Sequence, residues 1–249
     1  MRFIIYLILL IALPAWAQDT NSKAAPDMAK MTSRERLQMM TATTPAYQRE
    51  ALRLVIEEAN RVARELNLAE TLPITESNLV AQYISPPRMF GFGNITTSNY
   101  VYYVTVGKKF SYLEQAGLEG KYRQLQKQYL WPVEQMDTNG AYQLATQFLV
   151  AASMDVAGLN RDGEVRIETF MPEGKAGKHF VPVYWVYWMG KMPGTSGNIA
   201  QIELFQPTKT LLQLRVNQPE YILRPPLQIT NLDNLLAQTN ALPDQKSAP

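Results

Sequence analysis

Apolar residues recur at Ala51, Leu52, Val55, Ile56, Ala59, Val62, Ala63 and Leu66, while Arg49, Glu50, Arg53, Glu57, Arg61, Arg64 and Glu65 occupy the opposite side. That spacing predicts an α-helix with one buried and one solvated side. Thr44-Pro45 marks its start. A threonine oxygen can accept from the orphan amides of the first turn, and proline at a first-turn position gives up an amide that had no intrahelical partner. Arg53, Glu57, Arg61 and Glu65 follow in steps of four with alternating sign, so Glu57 is expected between two arginines. Each such pair is worth about 0.2–0.5 kcal/mol.

After this helix the pattern changes to period two. Residues 78–84 read as a short strand, 95–106 as β-rich, and Gly107-Lys108-Lys109 as a hairpin turn into 110–113. Helical spacing returns at 121–130 through Tyr122, Leu125 and Tyr129, and Trp131-Pro132 ends it because the residue before proline avoids the α region. A second round follows. Thr138 or Asn139 opens a helix that runs to about Asp155 and is stopped by Gly158, and Asn160-Arg161-Asp162-Gly163 forms a turn. Strands are expected at 164–170, 181–189, 199–205 and 211–216, the last two joined through Gln206-Pro207-Thr208-Lys209. Leu212, Leu214 and Val216 alternate with Gln213 and Arg215, as in a strand with one wet face. A short helix at 232–236 closes the chain, and another is expected near 33–40.

The two rounds are alike. Ala46-Tyr47-Gln48 opens the first helix and Ala141-Tyr142-Gln143 the second, and each is followed by an aromatic strand, at 100–104 and at 184–188. The expected class is α+β, with two related units, each a helix packed on an antiparallel sheet. They occupy 44–133 and 134–228, after a tether at 18–43 and before a short helix and disordered tail at 229–249. Residues 131–145, Trp131-Pro132-Val133-Glu134-Gln135-Met136-Asp137-Thr138-Asn139-Gly140-Ala141-Tyr142-Gln143-Leu144-Ala145, resemble a family of exported bacterial proteins with cystatin-like or PepSY-like units. The resemblance implies a fold and brings no catalytic residue with it. Cystatins inhibit through a Q-x-V-x-G hairpin, and the nearest match here, Tyr103-Val104-Thr105-Val106-Gly107, lacks the glutamine. Fold alone does not give function.

The N-terminus changes the picture by adding a destination. Met1-Arg2 is a short positive start, 3–13 is an unbroken apolar run, and Ala15-Trp16-Ala17 has the small-x-small form that a signal peptidase reads. This predicts a secretory signal peptide at 1–17, cleaved before Gln18, and a periplasmic or extracellular protein. The apolar run of about eleven residues falls short of the roughly twenty that span a bilayer, so no integral membrane segment is expected after cleavage. Cysteine is absent from the 249 residues, which excludes disulfides, thiol catalysis and cysteine-ligated metals. The one histidine, His179, excludes any site built on two imidazoles. A net charge of +2 with interspersed signs gives no basic stripe, so nucleic acid is not an expected partner.

Candidate chemistry centres on Tyr184-Trp185-Val186-Tyr187-Trp188. Alternation along a strand puts Trp185 and Tyr187 on one face and Tyr184 and Trp188 on the other. An open face would stack on sugar rings or a peptide, whereas two covered faces would make all four residues core. These four and His179, in the Gly/Lys loop just before them, are the candidate ligand-binding residues. As a base His179 would need a nucleophile and an orienting carboxylate; Ser196 in Gly194-Thr195-Ser196-Gly197 is not the G-x-S-x-G elbow. Glu164 and Glu168 would lie roughly 13 Å apart along one strand, too far for either glycosidase geometry. Asp137-Thr138-Asn139-Gly140 and Asn160-Arg161-Asp162-Gly163 lack the twelfth-position glutamate of a calcium loop, and Gly91-Phe92-Gly93 has no third glycine in register. Asn94-Ile95-Thr96 fits a glycosylation acceptor for a eukaryotic secretory route only.

No cofactor is implied. The expected function is an exported binding or scaffold protein without catalytic activity, its partner another exported protein or a polysaccharide. The alternatives are a cofactor-independent hydrolase of glycans or peptides, using carboxylates that only the fold brings together, and a structural component of an exported assembly.

Overall fold

A computed structural model describes residues 32–33, 43–87, 92–129, 136–169, 182–191 and 197–237, and the fold presented below lies within the compact unit 38–249. Helix α1 (Pro45–Glu65) begins where the Thr44-Pro45 signal places it. Thr44 Oγ1 accepts from the Tyr47 amide at 3.0 Å and donates to the Leu235 carbonyl at 2.9 Å. Tyr47, Ala51, Val55, Ala59, Val62 and Ala63 form its buried side. On the charged side the alternating ladder is not continuous. Arg53 pairs with Glu50 and Glu57, but Arg61 turns to Glu58 and Glu65, so Glu57 has one arginine and not two.

Four strands follow: β1 (Ala81–Ile84), β2 (Gly93–Thr96), β3 (Tyr100–Val104) and β4 (Phe110–Gln115). Helix α2 (Leu118–Gln128) crosses over, and helices α3 (Thr138–Ala151) and α4 (Val156–Asp162) precede β5 (Gly163–Thr169), β6 (Val183–Gly190), β7 (Asn198–Phe205) and β8 (Thr210–Val216). Helix α5 (Leu232–Ala237) packs against α1. The architecture is α+β, with one eight-stranded sheet in the order β1-β2-β3-β4-β8-β7-β6-β5. Every pairing is antiparallel. Each run of four strands is a meander, and the two meet through β4 and β8.

The register fixes which residues share a face. Ile95, Tyr102, Leu113, Leu214, Ile202 and Val186 are successive cross-strand partners from β2 to β6, and all are buried beneath α1, α3 and α4. On the opposite face, among the described residues, Leu118, Tyr122 and Leu125 of α2 cover one end, where they meet Val183, Phe205 and Leu212.

Three local expectations are corrected. The helix opened near Thr138 is capped by Asp137, whose Oδ1 accepts from the Gly140 amide at 2.6 Å. It ends at Ala151: Ser153 takes a left-handed conformation (φ 62°) and Met154 bridges to Ile222. Asp155 then caps α4 through the Gly158 amide at 2.9 Å, so Gly158 lies inside a helix and Asn160-Arg161-Asp162 is its last turn. A tertiary bridge and a cap overrode a continuous apolar pattern. Finally, Leu212 does not share a face with Leu214 and Val216. The register slips between Glu203/Leu204 of β7, and this bulge sends Leu211 under the helices and Leu212 under α2. The helix expected at 33–40 lies almost wholly outside the described residues.

Candidate binding face

The sheet face away from α1 and α3 carries two adjacent rows of cross-strand partners. One runs Tyr103, Tyr112, Arg215, Gln201, Tyr187 and Arg166 across β3, β4, β8, β7, β6 and β5. The next runs Val101, Glu114, Gln213, Glu203, Trp185 and Glu168 across the same strands. Strand alternation places these side chains together because each strand contributes a polar or aromatic residue at the parity that its core residues leave free.

The centre of the second row is a hydrogen-bonded chain. Tyr122 of α2 donates its phenol to the Glu203 carboxylate. Gln201 Nε2 donates to Glu203 Oε1 at 2.8 Å and to Gln213 Oε1 at 3.2 Å. Gln213 Nε2 donates to Tyr112 Oη at 2.8 Å and to Glu114 Oε2 at 3.2 Å, and the Tyr112 phenol donates to Glu114. Glu203 is 6% exposed, and burial raises its carboxyl above the ordinary carboxylate range although Tyr122 and Gln201 donate to it. Burial likewise raises the phenols of Tyr103, Tyr112, Tyr122 and Tyr187, reinforced by Glu114, Glu203 or Glu168 nearby. These tyrosines are therefore neutral donors throughout the ordinary pH range.

Beside this chain, away from α2, is a recess of about 320 Å³ lined by Tyr103, Thr105, Ser111, Tyr112, Arg215 and Asn217. The Tyr103 and Tyr112 rings stand 4.7 Å apart, tilted by 46°. The Arg215 guanidinium lies 5.9 Å from the Tyr112 ring centre, and its Nε donates to Asn217 Oδ1 at 2.8 Å.

The aromatic strand divides as alternation requires. Tyr184 and Trp188 are 3% and 0% exposed and belong to the core. Trp188 Nε1 donates to Asn160 Oδ1 at 2.8 Å, Asn160 donates to Tyr142 at 2.8 Å, and Tyr184 donates to the Met136 carbonyl. Trp185 and Tyr187 lie in the two rows on the other face, both half-buried, with Trp185 packed against the cluster beneath α2. His179 and Ser196 lie outside the described residues. Glu164 and Glu168 are exposed, and Glu164 pairs with Arg166 at 3.5 Å. Among the described residues no group of three or more His, Cys, Asp or Glu is placed to hold a metal ion, and no helix is long and apolar enough to cross a membrane.

Tyr103, Tyr112, Glu114, Tyr122, Gln201, Glu203, Gln213 and Arg215 were not legible as a site. Their signal was present as polar residues two apart on three strands, Tyr112/Glu114, Gln201/Glu203 and Gln213/Arg215. Only the strand order makes them neighbours. No protein family, characterised protein or solved structure matches the chain.

Proposed function

We propose that this protein is an exported binding protein without catalytic activity, and that its ligand lies on the sheet face carrying Trp185 and Tyr187. The observation that carries the reading is the pair of rows just described: aromatic rings, amides and neutral phenols continue across the five strands β3, β4, β8, β7 and β6, with Arg166 and Glu168 of β5 beside them, on a face that among the described residues α2 covers at one end. Aromatic faces bind sugar CH groups through area and dispersion, and amides fix hydroxyls by direction. The ligand favoured by this mixture is an extended polysaccharide. Export rests on the sequence at 1–17, and N-terminal sequencing of the secreted protein is expected to begin at Gln18. The matching order of helix and four-strand meander on either side of the β4–β8 seam supports two related cystatin-like units. The binding test is calorimetric titration with neutral and acidic oligosaccharides. Tyr187→Ala and Trp185→Ala should each weaken binding, and unchanged affinity in both variants overturns the reading.

A second reading, hydrolysis of the same polymer, has one observation in its favour. Glu114 and Glu203, far apart in sequence, both reach the Gln201–Gln213 chain beside Trp185. Tyr122 and Gln201 already occupy the Glu203 carboxylate, which favours binding over turnover. Release of reducing ends by the wild type and its loss in Glu203→Gln would establish hydrolysis.

A further inference from the structure

We propose that the recess at Tyr103, Tyr112 and Arg215 is a subsite for a carboxylate-bearing sugar, so that the polymer bound on this face is rich in uronic acid. The proposal rests on the binding reading above and adds the charge of the ligand.

The recess has an oriented cation with no protein anion against it. Asn217 Oδ1 holds Arg215 by Nε at 2.8 Å, and the Tyr112 ring flanks the guanidinium at 5.9 Å. Among the described residues the two terminal amino groups of Arg215, like the guanidiniums of Arg49 and Arg64 on α1, have no hydrogen bond or ion pair, whereas Arg53, Arg61, Arg161, Arg166 and Arg224 each meet a carboxylate; of the three unpaired arginines Arg215 is the one held in place by a side-chain acceptor and flanked by an aromatic ring. The cross-strand neighbours of Arg215 are Tyr112 and Gln201, both neutral. Glu114, the nearest carboxylate along β4, is engaged by Tyr112 and Gln213. A planar fork held at one nitrogen and open at two matches a carboxylate bidentately, and such charge-assisted pairs are about twice as strong as neutral ones.

The rest of the recess suits a pyranose. Two tyrosine rings 4.7 Å apart provide an apolar wall, and the Thr105 and Ser111 hydroxyls, 2.7 Å apart, line the cavity. Ser111 comes to this position because β4 carries an extra residue opposite the Tyr103/Val104 step of β3. A volume of about 320 Å³ is at the small end of ligand sites, the scale of one sugar unit.

The test is calorimetric titration of the purified full chain with oligogalacturonate and with oligogalactose of the same length. The expected result is that the acidic oligomer binds at least about tenfold more tightly and that Arg215→Gln lowers its affinity to that of the neutral one. Arg215→Lys, which keeps the charge but loses the fork, should restore only part of the preference. Near-ultraviolet circular dichroism checks that each variant is folded. If both oligomers bind equally and Arg215→Gln changes nothing, while Tyr187→Ala still weakens binding, the acidic subsite is overturned and the binding face stands. If neither oligomer binds, both readings fall. If an acetylated dipeptide with a free carboxylate competes at the same concentration as the uronate, the site recognises carboxylate without sugar, and the assignment to uronic acid is overturned.

Discussion

The phenol of Tyr122 donates to the buried carboxylate of Glu203, 81 positions further along the chain. This contact fastens α2 to the end of the sheet face that the helix covers. Isolated in a buried setting, a carboxylate of this kind would be costly, and donors from Tyr122 and Gln201 offset part of that cost.

The direction of the Glu203 shift fixes a pH dependence. Burial raises its value in the folded protein above the ordinary 4.5, so the folded state holds this proton more tightly than the unfolded one. Stability should therefore fall as pH rises from the ordinary carboxylate value through the raised one, and level off above it. Urea midpoints measured from about pH 4 to pH 8 should show that decline in the wild type, and Glu203→Gln should remove it. Tyr122→Phe should cost about 1–3 kcal/mol at neutral pH, because the carboxylate loses a donor, and should extend the decline to higher pH. Identical pH profiles for wild type and Glu203→Gln would refute the argument.

Neighbouring aromatics on β6 should separate stability from binding. Trp188 is fully buried and bonded to Asn160, so Trp188→Ala should cost about 3–5 kcal/mol and lower the thermal midpoint sharply. Tyr187, one position earlier and on the opposite face, is half-buried. Tyr187→Ala should cost no more than about 1.5 kcal/mol while reducing oligosaccharide affinity. Thermal melts and titrations on the same two preparations decide the point; equal destabilisation would mean that both faces of β6 are core.

Much of this fold was legible because its signals are local. The Thr44-Pro45 cap, the apolar side of α1 and the alternation that divides Trp185 and Tyr187 from Tyr184 and Trp188 each depend on a few adjacent residues. Where the reading failed, long-range contacts had decided the outcome. Pairing of Met154 with Ile222 broke α3 from α4, and the bulge at Leu212 moved one leucine across the sheet. Of the binding face, only the β6 residues Trp185 and Tyr187 were singled out beforehand. Glu114, Gln213 and Glu203 become neighbours only when β8 inserts between β4 and β7, a strand order that no local pattern encodes.

Asn60 is a polar residue on the buried side of α1, 8% exposed, and it clamps the chain at Ile74. Its Nδ2 donates to the Ile74 carbonyl at 2.8 Å and its Oδ1 accepts from the Ile74 amide at 2.7 Å, while Nδ2 also reaches the Ile56 carbonyl at 3.0 Å. Asn60→Ala leaves a buried amide and carbonyl of Ile74 without their partner, an expected loss of about 1–3 kcal/mol. Asn60→Asp restores the acceptor but not the donor and should lose nearly as much. Hydrogen exchange is the specific readout: the Ile74 amide should lose protection in Asn60→Ala and keep it in Asn60→Asp, whose carboxylate still accepts from it, and protection retained in Asn60→Ala would show that another acceptor holds it.

The edge strand β1 depends on Gly93. A Cβ at this position would stand 2.6 Å from the Tyr83 carbonyl oxygen and 2.9 Å from Ile84 Cδ1, and the first of these is backbone of the paired strand. Backbone cannot give way by a rotamer change, so Gly93→Ala must push β1 from β2 at the Ile84↔Gly93 end of the ladder. The strand is four residues long and mostly exposed, hence it has little packing to resist that displacement. The expected result is local: amides of β1 and β2 exchange faster, while protection in β6 and β7 and the affinity for oligosaccharide stay at wild-type values. A uniform loss of protection across the sheet would instead mean that β1 is integral to the cooperative core.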